Sequence, residues 1–157
     1  MKTSSKARYS LHLVIDIAQH QETGPVPLRE IALRQRLSMK YLEQLAKVLA
    51  REGYLVSVRG AQGGYLLSRP AEQITAGNIM RAAEGGVLTI ACVDSGADSG
   101  IGVCPRQLLC GTAQFWTGLR NAIDDYVDSV TIAKLAGTQD LAGAQDLAGA
   151  QGPTASN

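Results

Sequence analysis

The sequence predicts a mainly α-helical chain with one small β-hairpin and a long C-terminal helix, on three observations. Apolar residues recur at helical spacing from Ser5 to Glu52. The period then switches to that of two short strands around the glycine-rich stretch Arg59 to Gly64. Lastly, the stretch from about Thr112 to Leu135 carries a single apolar stripe. At 157 residues the chain has room for one modest core.

Each element has its own signal. From Ser5 to about Gln19, Ala7, Leu11, Val14, Ile15 and Ala18 line one face of a helix, with Arg8, His12, Asp16 and Gln19 opposite. Gly24, Pro25 and Pro27 make a loop, and Pro27 suits the opening of a second helix, Leu28 to about Arg36, where no amide donor is needed. Ser38 is a good N-cap for a third helix, which Gly53 ends. On that helix Met39, Leu42, Leu45, Ala46 and Leu49 form the expected buried side, and Lys40, Tyr41, Gln44, Lys47 and Arg51 the outer one.

Tyr54 to Val58 and Tyr65 to Ser68 read as strands, and Gly60, Gly63 and Gly64 can supply positive φ in the turn between them. Thr75 can cap a helix from Ala76 to Ala83. In the long helix Phe115, Leu119, Ile123, Tyr126, Val127 and Val130 share one stripe. Something must cover it: a matching helix from a second copy is the simplest cover, and folding back onto its own domain is the alternative.

Two short helices joined tightly and followed by a hairpin is the order of a winged helix-turn-helix. The expected organisation is a winged helix-turn-helix DNA-binding domain over residues 1–84, a cysteine-bearing loop over 85–111, a dimerisation helix over 112–135 and a flexible tail over 136–157. In that tail Leu-Ala-Gly recurs every six residues, too short a period for a solenoid.

The net charge of +1 hides a division. Residues 1–70 hold eleven Lys or Arg against five Asp or Glu, a balance of +6, and residues 71–157 hold four against nine, a balance of −5. A polyanionic partner for the N-terminal half follows. The outer face of the third helix, with its amides, phenol and cations, suits the major groove, while an arginine on a glycine-rich wing suits a minor groove or phosphates. The N-terminus lacks the apolar segment of a signal peptide, and no run of about eighteen apolar residues exists, so a cytoplasmic protein without membrane contact is expected.

The stretches Ser38-Met39-Lys40-Tyr41-Leu42-Glu43-Gln44-Leu45 and Ser57-Val58-Arg59-Gly60-Ala61-Gln62-Gly63-Gly64-Tyr65-Leu66-Leu67, with Lys6-Ala7-Arg8-Tyr9, resemble the IscR-type family of bacterial regulators, which also includes NsrR and CymR. The resemblance covers roughly residues 1–135. It implies a dimeric transcription factor on double-stranded operator DNA, with Ser38, Lys40, Tyr41 and Gln44 in contact, Ser57, Arg59 and Gly60 in the wing, and Glu43 tuning sequence choice. A carboxylate there can accept from cytosine N4 and repels misplaced phosphates.

Cys92, Cys104 and Cys110 follow the pattern C-x11-C-x5-C. In a reducing compartment, thiols so arranged are open to three readings: cluster or metal ligands, redox switches, and buried structural residues. The close pairing of zinc fingers is absent. The resemblance favours an iron–sulfur cluster, 2Fe-2S over 4Fe-4S, because cluster-binding members carry three cysteines in this place. Two departures stand out: Val93 to Gly100 lengthens the first interval, and Ala113 stands where some members have histidine. His12 is a candidate fourth ligand, donated by the partner subunit; the alternative is a solvent-facing histidine paired with Asp16.

No nucleophile elbow, phosphate loop or paired acid–base motif is present, and the glycines of the hairpin do not lie between a strand and a helix, so no enzyme is expected. A cluster-free regulator with thiol switches is the alternative function. An electron carrier would leave the wing and the basic half unexplained.

Overall fold

The computed structural model of the chain describes residues 5–87 and 110–137. Its helices are α1 (Ser5–His20), α2 (Leu28–Gln35), α3 (Met39–Arg51), α4 (Ala76–Glu84) and α5 (Ala113–Ser129), with a last helical turn at residues 132–137. Between α3 and α4 lie strands β1 (Leu55–Val58) and β2 (Gly64–Leu67). The mainly α fold with a β wing is the one expected.

The core forms around α1, whose Leu13, Val14 and Ile17 are fully buried. Leu42, Leu45, Ala46 and Leu49, at helical spacing on α3, meet it from one side. Ile31 of α2, Leu55 of β1, Ile79 of α4 and Ile132 complete the cluster. Met39 departs from expectation: it opens α3 a turn before the helix reaches the core and is exposed.

Caps and turns follow the local chemistry. Ser38 accepts from the Tyr41 amide at 3.3 Å and starts α3. Thr75 and Asn78 form a reciprocal capping box on α4. Between α2 and α3, Arg36 adopts a left-handed conformation with φ of 53°, and the Leu37 amide returns to the Ala32 carbonyl at 3.1 Å.

In the wing β1 and β2 pair antiparallel, Leu55 opposite Leu67 and Val58 opposite Gly64. Val26 adds one rung, exchanging bonds of 2.9 Å in both directions with Tyr65. The three glycines serve different needs. Only Gly60 has positive φ, at 122°. A Cβ on Gly63 would strike the Val58 and Gly60 carbonyls, and one on Gly64 would strike the Val26 backbone.

Two expectations fail on account of burial. Asp16 lies inside, 1% exposed, although the helical period placed it outward. Arg34 of α2 donates to both of its carboxylate oxygens at 2.6–3.1 Å, and Gln35 adds a bond of 3.0 Å. That hydrogen bonding raises the Arg34 pKa further above its ordinary value. Secondly, the last helix does not run unbroken to Leu135. It stops at Ser129, and Val130 to Ile132 pair with Ile74 to Ala76 through bonds of 2.8 Å, Ala76 N–H to Val130 and Ile132 N–H to Ile74.

The expected stripe is therefore divided. Phe115, Leu119 and Tyr126 are exposed, Ile123 and Val127 half-buried, and only Val130 buried. The loop at 85–111 and the tail at 136–157 fall largely outside the described residues. No helix among the described residues is long and apolar enough to cross a membrane.

Asp16→Ala leaves the inner end of Arg34 without its acceptor and should destabilise the fold by about 1–3 kcal/mol. Arg34 keeps 32% of its side chain in solvent, which moderates the loss. Urea denaturation checks this; an unchanged midpoint would show the tie to be energetically neutral.

Candidate nucleic-acid interface

Helix α3 presents a polar outer face because Leu42, Leu45, Ala46 and Leu49 are taken into the core formed with α1 and its neighbours. Lys40, Glu43, Gln44 and Lys47 are exposed along it. Ser38 is exposed at its start; its oxygen is engaged by the cap, and its O–H still has a proton to donate. Ser57 on β1, and Arg59 and Gly60 in the turn, are exposed as well. The DNA-contact residues expected from the sequence thus lie on α3 and the adjoining wing, Tyr41 alone being half-buried.

The charge on this side is uncommitted. Among the described residues Lys40, Lys47 and Arg59 form no ion pair. Other arginines are engaged, Arg34 with Asp16, Arg51 with Glu52 and Arg81 with Asp124 and Asp128, while Arg29 and Arg36 on and just after α2 likewise form no ion pair among the described residues. Cations left without an internal partner retain their full attraction for phosphate.

Tyr41 sits edge-on to Tyr9 of α1, ring centroids 5.8 Å apart at 88°. Arg8 lies over the Tyr9 ring at 4.7 Å and donates to its hydroxyl at 3.0 Å. Sequence reasoning assigned no role to Tyr9, which braces the first turn of α3. Its only signal was its place in the Lys6-Ala7-Arg8-Tyr9 motif, since helical spacing does not reveal which neighbour a ring meets. At the wing's root Arg69 stacks over Tyr54 at 5.5 Å.

Of the three cysteines, Cys92 and Cys104 lie outside the described residues. Cys110 stands just ahead of α5, and its sulfur is 3.3 Å from the Thr112 hydroxyl. That hydrogen bond, with help from the Thr112 and Ala113 backbone, lowers its pKa below the usual thiol value. His12 is half-buried with its ring 6.2 Å from that of Tyr9. It is not the partner of Asp16, which is turned inward to Arg34; His20 takes that place, its Nδ1 2.8 Å from the Asp16 carbonyl. Among the described residues no three metal-binding side chains converge.

Arg59→Ala should weaken DNA binding by roughly 1–3 kcal/mol, selectively for the preferred sequence, whereas Lys47→Ala should weaken all sequences alike and reduce the salt slope by about one. Titrations at several salt concentrations distinguish the two. Equal losses on random and preferred duplexes for both variants would remove Arg59 from base or groove recognition.

Comparison with known proteins agrees along nearly the full length. Residues 3–138 match the Rrf2 family, described as iron-dependent transcriptional regulators. Over 141 residues the chain is 36% identical to the HTH-type transcriptional regulator IscR of Erwinia tasmaniensis, covering 90% of this chain and 82% of that protein. CymR, the global cysteine regulator of B. subtilis, superposes with a TM-score of 0.69 at 35% identity, over 88% of this chain and 98% of that one. The oxidized form of Staphylococcus aureus CymR gives a TM-score of 0.65 at 40% identity, over 87% and 96%. Helical head, wing and long C-terminal helix are shared as one arrangement, and the chain belongs to the Rrf2 family of transcriptional regulators, which are not enzymes.

Proposed function

We propose that the protein is a homodimeric regulator that binds double-stranded operator DNA through α3 and the wing, and senses iron–sulfur status, redox state or nitric oxide through Cys92, Cys104 and Cys110. The observation that carries the DNA half is the uncommitted set Lys40, Lys47 and Arg59 on adjoining surfaces. Beside them Glu43 and Gln44 offer the acceptors and donors that base edges require. The dimer half rests on α5, whose Phe115, Leu119 and Tyr126 are 63%, 36% and 69% exposed. A second copy of α5 would cover them.

A cluster fits the donors in kind. Thiolates are soft ligands, and Thr112 holds Cys110 towards the thiolate a ligand must be. When bound, such a cluster, 2Fe-2S in preference to 4Fe-4S, would supply a centre responsive to oxidation and nitrosylation. His12 of the partner subunit is the fourth donor we put forward, since Asp16 does not occupy this ring. Anaerobically purified protein should then contain iron and acid-labile sulfide in equal amounts and absorb in the visible range. Protein free of both, with DNA binding intact, would sink the cluster reading.

Cys110 also supports a second reading, a thiol switch without a cluster. Its sulfur is partly exposed and its thiolate favoured, and a relative is known in an oxidized form. Because its pKa is lowered, the thiolate persists to lower pH than in an ordinary cysteine. In metal-free protein, alkylation of Cys110 followed by mass spectrometry should rise with pH around a midpoint below the usual thiol value. Thr112→Val, which removes the hydroxyl donor, should move that midpoint upward. Coincident profiles for the two proteins would deny Thr112 this influence.

A further inference from the structure

Helix α5 has two sides with different tasks. At about 100° per residue, Asp124 and Asp128 project roughly opposite to Phe115, Leu119 and Tyr126. The apolar side faces away from the head, and the acidic side faces α4. There Arg81 donates to Asp124 at 3.4 Å and forms a close ion pair with Asp128. Asp128 also accepts from the Thr75 hydroxyl at 3.3 Å, and Asp124 lies 3.5 Å from Arg120. Beneath this network α4 approaches α5 at Gly77, where an added Cβ would strike Asp128, Arg81 and Val127.

We propose that Arg81 is a positioning residue: by holding two carboxylates one turn apart on α5, it sets the angle between that helix and the DNA-reading head. The inference rests on the dimeric, DNA-binding reading above. No residue of α5 is fully buried within the protomer, and of its larger apolar side chains only Ile123 and Val127 are half-buried, so apolar packing constrains the lean of the helix on the head only loosely. A planar guanidinium bonded to Asp124 and Asp128 constrains it more tightly, because it can satisfy both in few orientations. The pairs are half exposed and contribute little to stability, so their loss leaves the fold intact. What changes is geometry. If α5 joins two copies, its angle to each head sets the separation of the two α3 helices, and hence whether both reach their half-sites together.

The test separates the two half-sites from one. A duplex is selected from a random pool by the wild-type protein, and affinities are measured for it and for a version with one half scrambled. Wild type should prefer the full site strongly. Arg81→Ala, and independently Gly77→Ala as a steric wedge, should remain dimeric by sedimentation and bind the half-site as wild type does. Their full-site advantage should fall by about tenfold or more. Arg81→Lys, which keeps the charge and loses the planar fork, should fall between. Variants that are dimeric and retain the wild-type advantage would overturn the positioning role alone. A wild-type protein that is monomeric, or shows no full-site advantage, would overturn the dimer reading and this inference with it.

Discussion

The fold depends on enclosing one helix. The middle of α1 is buried on nearly every side, and α2, α3, the wing and α4 are arranged by the need to cover Leu13, Val14 and Ile17. In a head this small there is no second core to anchor a stray element. The interaction with α1 decides what α3 shows to solvent: once Leu42, Leu45, Ala46 and Leu49 are taken inward, the opposite face is left as a polar surface of defined orientation. The surface proposed to read DNA is thus a by-product of packing, with its chemistry supplied by residues the core does not use.

A polar tie within that core adds direction to it. Hydrophobic burial tolerates some sliding of helices, whereas Asp16 accepts from Arg34 and Gln35 only at one relative placement of α1 and α2. Arg36 then turns the chain in a left-handed conformation, and Ser38 restarts it as α3. The wing is fastened to the same framework at the Val26–Tyr65 rung, which closely follows α1 and directly precedes α2. Helix-turn-helix and wing are therefore referred to one common base.

Most of the head was legible in the sequence, because its signals are local. Ser38, Thr75 and Gly53 mark helix ends by the hydrogen bonds or the φ they permit, and the glycines between Arg59 and Tyr65 mark the turn. What was not legible depends on partners distant in the chain. Asp16 looked solvated until Arg34 came to meet it, and Gly63 and Gly64 looked like turn formers until neighbouring backbones closed on them. The unbroken last helix was misjudged for a different reason: Val130, Thr131 and Ile132 are all β-branched and favour extended backbone, but the apolar stripe running through Val130 outweighed that local signal, and pairing with Ile74 to Ala76 realises it. At the site, the outward residues of α3 were found by period alone, but the support of Tyr41 by Tyr9 is a tertiary contact that no spacing encodes.

The short pairing of Ile74 to Ala76 with Val130 to Ile132 has an evolutionary consequence. It ties together the two ends of a long excursion of the chain, which includes all three cysteines. With those ends held, the length between them is a nearly free variable, since loop-closure entropy grows only with the logarithm of length, about 0.6 kcal/mol per doubling. Insertions such as Val93 to Gly100 can then accumulate without disturbing the head or the lean of α5. The spacing of the three cysteines, the ligands in the proposed reading, can thus change while the helical head and its wing are inherited unaltered.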